Sequence, residues 1–120
     1  MGYVEKIKKG WGHEIIFANE KEYCGKLLCF PKAGAKFSLH FHAIKKETWY
    51  VLSGSFTLVT INTQNASKNN YVLMTGDSWT NYPNEIHQLI AKEDGSLIVE
   101  VSTMDIKHDN YRVLPGDSQK

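Results

Sequence analysis

No stretch of ten or more positions in this chain carries a sustained apolar stripe at 3.6-residue spacing, and that excludes packed helical layers. What remains is a succession of short segments rich in Val, Ile, Thr, Phe, Tyr and Trp, the residues that suit a pleated, half-buried surface. The segments read as strands are 14–17, 23–30, 36–42, 48–52, 55–61, 70–74, 78–82, 87–91 and 97–103. Turn formers separate them at Gly34, Ser53-Gly54, Gly76-Asp77, Pro83-Asn84 and Asp94-Gly95. Many short strands at even spacing predict an all-β sandwich or barrel, not βαβ units. The polar segment 62–70 reads as the longest surface loop. Beyond residue 105 the only large apolar residues besides Ile106 are Tyr111, Val113 and Leu114, which predicts an ordered arm ending in a ragged tail at 116–120. No repeat or linker divides the chain, so it reads as one domain over 1–120, with a core over about 11–103 and a C-terminal arm over about 104–120.

A chain of 120 residues buries roughly two-thirds of its unfolded surface, enough for one core. Its formal net charge of +1 gives no electrostatic case for nucleic acid or an anionic membrane as partner. The run Lys6, Lys8, Lys9 is short and reads as a solvated tail. Cys24 and Cys29 are five apart, so on one strand they face opposite sides and do not pair. Met1-Gly2-Tyr3-Val4-Glu5 shows no apolar run behind a basic start, and no window approaches about 20 apolar residues. The expectation is a reduced, cytoplasmic protein.

The most informative stretch runs from Gly34 to Glu47. His40 and His42 are two apart, which on a strand puts both imidazoles on one face, while Leu39 and Phe41 take the other. Burying two unpartnered imidazoles is costly, and a metal removes that cost by accepting a lone pair from each. Glu47 follows five residues later; a short turn at 43–46 would return its carboxylate to the histidines. His87 starts a later strand. His40, His42, Glu47 and His87 form an N3O donor set that suits one divalent transition metal, Zn, Mn, Fe, Co or Ni, without choosing among them. Four protein ligands leave one or two positions open in a five- or six-coordinate site.

The spacing Gly34, five residues, His40-x-His42, four residues, Glu47, six residues, Gly54 resembles the first motif of the cupin family at every defined position. The segment Gly76 to His87 resembles the second motif in length. Pro83 sits one place late, Asn84 replaces the motif glycine, and Ala91 stands where the motif ends in Asn. Asn tolerates the left-handed backbone a tight turn needs. The resemblance implies a single-domain cupin, a double-stranded β-helix or jelly-roll barrel. His13 and His108 fall outside both motifs and are read as non-ligands. Trp49 and Trp79 are read as core.

Along most of its length the chain is similar to the cupin domain of type II phosphomannose isomerases. The pieces that carry the likeness are Gly10-Trp11-Gly12, Ser38-Leu39, His42-x-x-Lys45-x-Glu47-x-Trp49, Val51-x-Ser53-Gly54, Glu100-Val101 and Asp109-x-x-Arg112. In that family the first ligand position is usually Gln, here His40, and the family's Arg is here Lys45. The resemblance implies a metal-dependent aldose–ketose isomerase acting on a small sugar or sugar phosphate, with Arg112 reaching over the barrel mouth toward a phosphate or carboxylate. Lys36, Lys45 and Arg112 are the catalytic candidates. Lys36, four residues before His40, faces the ligand side on a regular strand. Lys36, Lys45 and Glu85 are candidate bases, and Tyr50 and Tyr82 candidate mouth residues. The alternatives are an Fe(II) dioxygenase on a small acid or thiol and a non-catalytic small-molecule-binding cupin. Exposed strand edges predict a homodimer, through the early strand 14–17 or the C-terminal arm.

Overall fold

The computed structural model describes residues 4–120; Met1, Gly2 and Tyr3, part of the start read above as leaderless, lie outside the described residues. Eleven strands follow in order: β1 (Glu5–Lys9), β2 (Gly12–Asn19), β3 (Cys24–Phe30), β4 (Leu39–Phe41), β5 (Glu47–Ser53), β6 (Ser55–Ile61), β7 (Lys68–Met74), β8 (Ser78–Asn81), β9 (Ile86–Ala91), β10 (Ser96–Ser102) and β11 (Tyr111–Leu114). They build two antiparallel sheets, ordered β1-β2-β3-β10-β5-β8 and β11-β4-β9-β6-β7. This is the expected all-β jelly roll. Among the described residues no helix is long and apolar enough to cross a membrane.

The interior is graded along the barrel axis, and the grading positions the site. Inward residues alternate along each strand. On β5 they run Glu47, Trp49, Val51; on β9, His87, Leu89, Ala91; on β10, Glu100, Ile98, Ser96; on β3, Lys26, Leu28, Phe30. One end is therefore lined by charge and imidazole, and the other is an apolar core. Phe30, Val51, Phe56, Leu58, Leu89 and Ile98 have no exposed surface. Trp49 lies at the boundary. Its ring packs in the core and its Nε1–H donates to Glu100 Oε1 at 3.0 Å. Trp79 packs against the same cluster from its edge.

Several sequence expectations need correction. Lys6, Lys8 and Lys9 belong to edge strand β1, which pairs with β2 in register Lys6↔Ile15 and Lys8↔His13. The segment lacks β propensity, and the pairing supplies what propensity does not. The loop at 62–70 is shorter than expected, because Lys68, Asn69 and Asn70 pair with Ile61, Thr60 and Val59. The strand expected over 36–42 is regular only from Leu39 to Phe41; Lys36 makes an isolated bridge to Ile90. The arm is structured. Tyr111 and Arg112 pair with Phe41 and His40 of β4. The tail is docked as well: Asp117 Oδ2 accepts the Lys36 N–H at 2.9 Å, and Ser118 Oγ accepts the Gly10 N–H at 3.0 Å. Early strand 14–17 is not an edge either, since β1 covers it.

The turns follow the sequence reading. Gly54 has φ +76, and a Cβ there would lie 2.2 Å from Ser96 Oγ, so only glycine fits. Asn84 has φ +71, the left-handed conformation expected of the residue that replaces glycine. Cys24 is buried, Cys29 is half-buried, and both are free thiols.

Candidate metal centre

Strand β4 presents His40 and His42 on one face, and β9 brings His87 into register opposite His40. Their candidate donor nitrogens lie within 4.8 Å of one another. Each ring is oriented by its other nitrogen. The Nδ1–H of His40 donates to the Ser38 carbonyl at 2.7 Å, that of His42 to the Asp109 carbonyl at 2.6 Å, and that of His87 to the Glu85 carbonyl at 2.9 Å. A nitrogen facing a carbonyl must carry the proton. The three Nε2 atoms therefore turn lone pairs toward a common point in the neutral rings, the arrangement a metal requires.

Glu47 closes the set from the start of β5. Its Oε1 lies 3.3 Å from His42 Nε2, and its Oε2 lies 3.6 Å from His87 Nε2. Asn81 Nδ2 donates to Oε2 at 3.3 Å and itself accepts from Trp79 Nε1. Glu47 Oε1 and His87 Nε2 are buried and have no hydrogen-bond partner in the protein. The 3.3 Å contact between Oε1 and His42 Nε2 sets one lone pair against another unless a cation lies between them. A proton on His42 meets that need without metal. Burial pushes His42 down, but the hydrogen bond and charge of Glu47 leave it raised. Glu47 is opposed by burial, yet His42 and Lys45 hold it below the usual carboxylate range. Burial, with the neighbouring imidazoles, lowers His40 and His87 to about 3, so both are neutral ligands at physiological pH. The residues present fit a divalent cation: three neutral imidazoles, one carboxylate and unsatisfied buried donors.

The turn between His42 and Glu47 is held from outside. The buried Asp109 carboxylate accepts N–H groups from Ala43 at 2.7 Å, Ile44 at 3.1 Å and Lys45 at 2.9 Å, while its carbonyl orients His42. These three backbone hydrogen bonds outweigh its partial burial and lower its carboxyl pKa. One residue thus fixes both ends of the ligand turn.

The cluster forms one wall of a cavity of about 360 Å³. The other walls carry charges that sequence reasoning did not single out for the site: Glu14 on β2, Lys26 on β3, Glu100 on β10 and Asp105 beyond it. Lys45 Nζ lies 3.1 Å from Glu100 Oε2, 3.2 Å from Asp105 Oδ1 and 3.7 Å from Glu47 Oε1. Lys26 Nζ lies 3.3 Å from Asp105 Oδ2 and 3.8 Å from Glu14 Oε1. Burial disfavours the Lys45 ammonium, but Glu100, Glu47 and Asp105 hold its pKa well above the usual lysine value. The signal for these residues was alternation: Glu14, Lys26 and Glu100 occupy inward positions of otherwise apolar strands.

Of the catalytic candidates, Lys45 and Arg112 line the cavity and Lys36 does not. Lys36 was expected on the ligand face by strict alternation. The strand is irregular at Phe37 and Ser38, both of which border the cavity, and the change of parity takes Lys36 out of its wall. Lys45 is corrected as a base because its amine is held protonated. Arg112 pairs directly with His40, is exposed, and makes no ion pair among the described residues. Tyr50, Tyr82 and Glu85 are absent from the cavity wall. Tyr50 points outward because Trp49 and Val51 point in. Glu85 Oε1 instead accepts the Tyr82 N–H at 2.7 Å. A larger groove of about 920 Å³ beside Lys6, Lys8, Lys32 and Lys120 lies on the outside and holds no histidine–carboxylate cluster.

Two antiparallel sheets closed around a polar mouth, with three inward imidazoles and a carboxylate, define a jelly-roll barrel of the metal-binding kind. A cupin domain model matches residues 26–107, and the chain belongs to the cupin family. Among solved structures it is similar to oxalate decarboxylase from Bacillus subtilis at pH 4.6, with a TM-score of 0.79 and 16% identity over 91% of this chain. It is likewise similar to a structure of that enzyme used to study its Mn(II) centres, with a TM-score of 0.78 and 15% identity. The chain spans 30% of the length of those structures, and the likeness at such identity is one of fold. No curated protein matches the sequence.

Proposed function

We propose that this cupin binds one divalent transition metal through His40, His42, Glu47 and His87 and isomerises a small sugar or sugar phosphate in the adjoining cavity. The observation that carries the reading is the convergence of buried donors the protein leaves unsatisfied, Glu47 Oε1 and His87 Nε2, beside two further imidazoles. A divalent cation there supplies Lewis-acid polarisation of a carbonyl and neutralises charge developing on its oxygen. The Mn(II) centres of the oxalate decarboxylase relative make manganese the first metal to test.

Aldose–ketose exchange also needs one proton moved between adjacent carbons. Glu14 is suited to that task. Glu100 and Asp105 each have both oxygens engaged, whereas Glu14 has only the 3.8 Å contact to Lys26. In this reading Glu14 takes the proton from one carbon and returns it to the next. The Lys45 ammonium, fixed by three carboxylates, donates to a substrate hydroxyl. Arg112 at the mouth receives a phosphate through its planar fork. The phosphomannose isomerase-like residues, from Gly10-Trp11-Gly12 to Asp109-x-x-Arg112, support a sugar over other small molecules.

Elemental analysis after loading with Mn and Zn tests the first part: about one metal per chain, lost in His87→Ala, is expected. A His87→Ala protein that keeps its metal overturns the ligand set. Solvent deuterium should enter C1 or C2 of a hexose or pentose phosphate, and Glu14→Gln should abolish the exchange while the metal stays bound. No incorporation across such a panel overturns the isomerase. A second reading, a cupin that oxidises or decarboxylates a small acid, is supported by the donor set and the oxalate decarboxylase fold. Oxygen uptake with iron, or carbon dioxide release from oxalate with manganese, would select it.

A further inference from the structure

The outer face of the β2-β3-β10-β5 layer carries no formally charged residue. Ile15, Leu27, Val99 and Tyr50 lie side by side in one continuous row, fixed by the registers Ile15↔Leu27, Leu27↔Val99 and Val99↔Tyr50. A neighbouring row runs His13, Cys29, Leu97. On the other side Phe17 lies over Gly25, where an added Cβ would come within 2.5 Å of the ring, and Val101 pairs with Gly25. The inward faces of these strands are already filled by the core and the metal cavity, so nothing within the described chain covers these side chains.

We infer that this face is an interface between two copies of the chain, stacked sheet against sheet. Phe17, Tyr50, Leu52 and Val101 keep 47, 45, 47 and 55% of their surface exposed. With large side chains presenting 150–250 Å² when open, that is roughly 80–100 Å² each. The half-covered Ile15, Leu27, Leu97 and Val99 bring the apolar face to about 500 Å² per copy. Such a patch lies within the range of the largest apolar patches on monomers, which are often functional, and a standard interface takes about 800 Å² from each partner. The flanks supply the rest. Charge begins only at the edge strand, with Lys6 and Lys8, and the opposite edge carries Ser78 and Thr80. An apolar centre inside a polar rim is the anatomy of a protein interface. A second copy is the occupant the face fits. A centre without charge meets its own image without repulsion, and twisted sheets stack face to face at about 30°, which a two-fold axis can close.

Light scattering after gel filtration tests this at tens of micromolar. The wild-type protein should run at twice its 13.7 kDa chain mass. Tyr50→Lys combined with Val101→Lys should raise the dissociation constant by about a hundredfold or more, because two charges would be buried unpaired. Val72→Lys, on the exposed side of the other sheet, should remain dimeric. A monomeric wild type, a double variant that stays dimeric, or a monomeric Val72→Lys overturns the inference. Should the double variant fail to fold, Cys29 gives a readout in the wild type. Its thiol lies within the face, so labelling should slow as protein concentration rises, and a concentration-independent rate would equally count against a dimer here.

Discussion

Asp109→Ala is the substitution whose effect on both stability and metal affinity can be worked from the structure. The carboxylate accepts three backbone N–H groups, from Ala43, Ile44 and Lys45. Hydrogen bonds to charged groups contribute about 1.5–3 kcal/mol each when fully buried. Here Ala43 and Ile44 are exposed, so water replaces part of what they lose, while Lys45 is buried. The expected loss of folding stability is therefore about 2–4 kcal/mol. The effect on metal has a different route. Asp109 keeps its backbone carbonyl in the variant, so His42 retains its orienting partner, but the turn that carries the chain to Glu47 loses its anchor. Residues that orient metal ligands typically contribute 10–100-fold in affinity, or about 1.4–2.7 kcal/mol. Asp109→Asn keeps one acceptor oxygen and should fall between wild type and Asp109→Ala in both measurements. Urea denaturation gives the stability, and competition with a fluorescent chelator gives the affinity. An Asp109→Ala protein with unchanged midpoint and unchanged metal affinity would refute the assignment of Asp109 to the ligand turn.

Lys45→Met removes the ammonium shared by Glu47, Glu100 and Asp105 and leaves their charges facing one another. Breaking a buried ion pair from one side costs about 3–5 kcal/mol, readable as a lowered denaturation midpoint. The metal-free protein should lose stability as pH falls from about 6.5 toward 3. His40 and His87 have folded values near 3, below their ordinary 6.5, so the unfolded chain takes up more protons across that window. His42, raised by Glu47, contributes with the opposite sign, and its stabilisation is lost as pH rises through its folded value. Bound metal should shift the acid limb lower, and a pH-independent midpoint between 4 and 6.5 would contradict the neutral state of His40 and His87.

Alternation made much of the barrel readable in advance. Wherever β-branched and aromatic residues recur at period two, as in β5, β6, β9 and β10, the chain alone specifies strand and facing. The spacing of His40, His42 and Glu47 is local, so one strand and one turn are enough to predict that they meet. Three things depended on tertiary structure. Strands β1 and β11 have weak intrinsic preference and form because β2 and β4 offer unpaired edges. The charges of Glu14, Lys26, Glu100 and Asp105 are far apart in sequence, and only the sheet order brings them to one cavity. Lys36 shows the converse: a parity rule holds only while the strand is regular, and the irregular stretch at Phe37 and Ser38 reverses its consequence. Local pattern determines which way a side chain points on its own strand; which side chains face one another is decided by long-range pairing, which no short window of sequence contains.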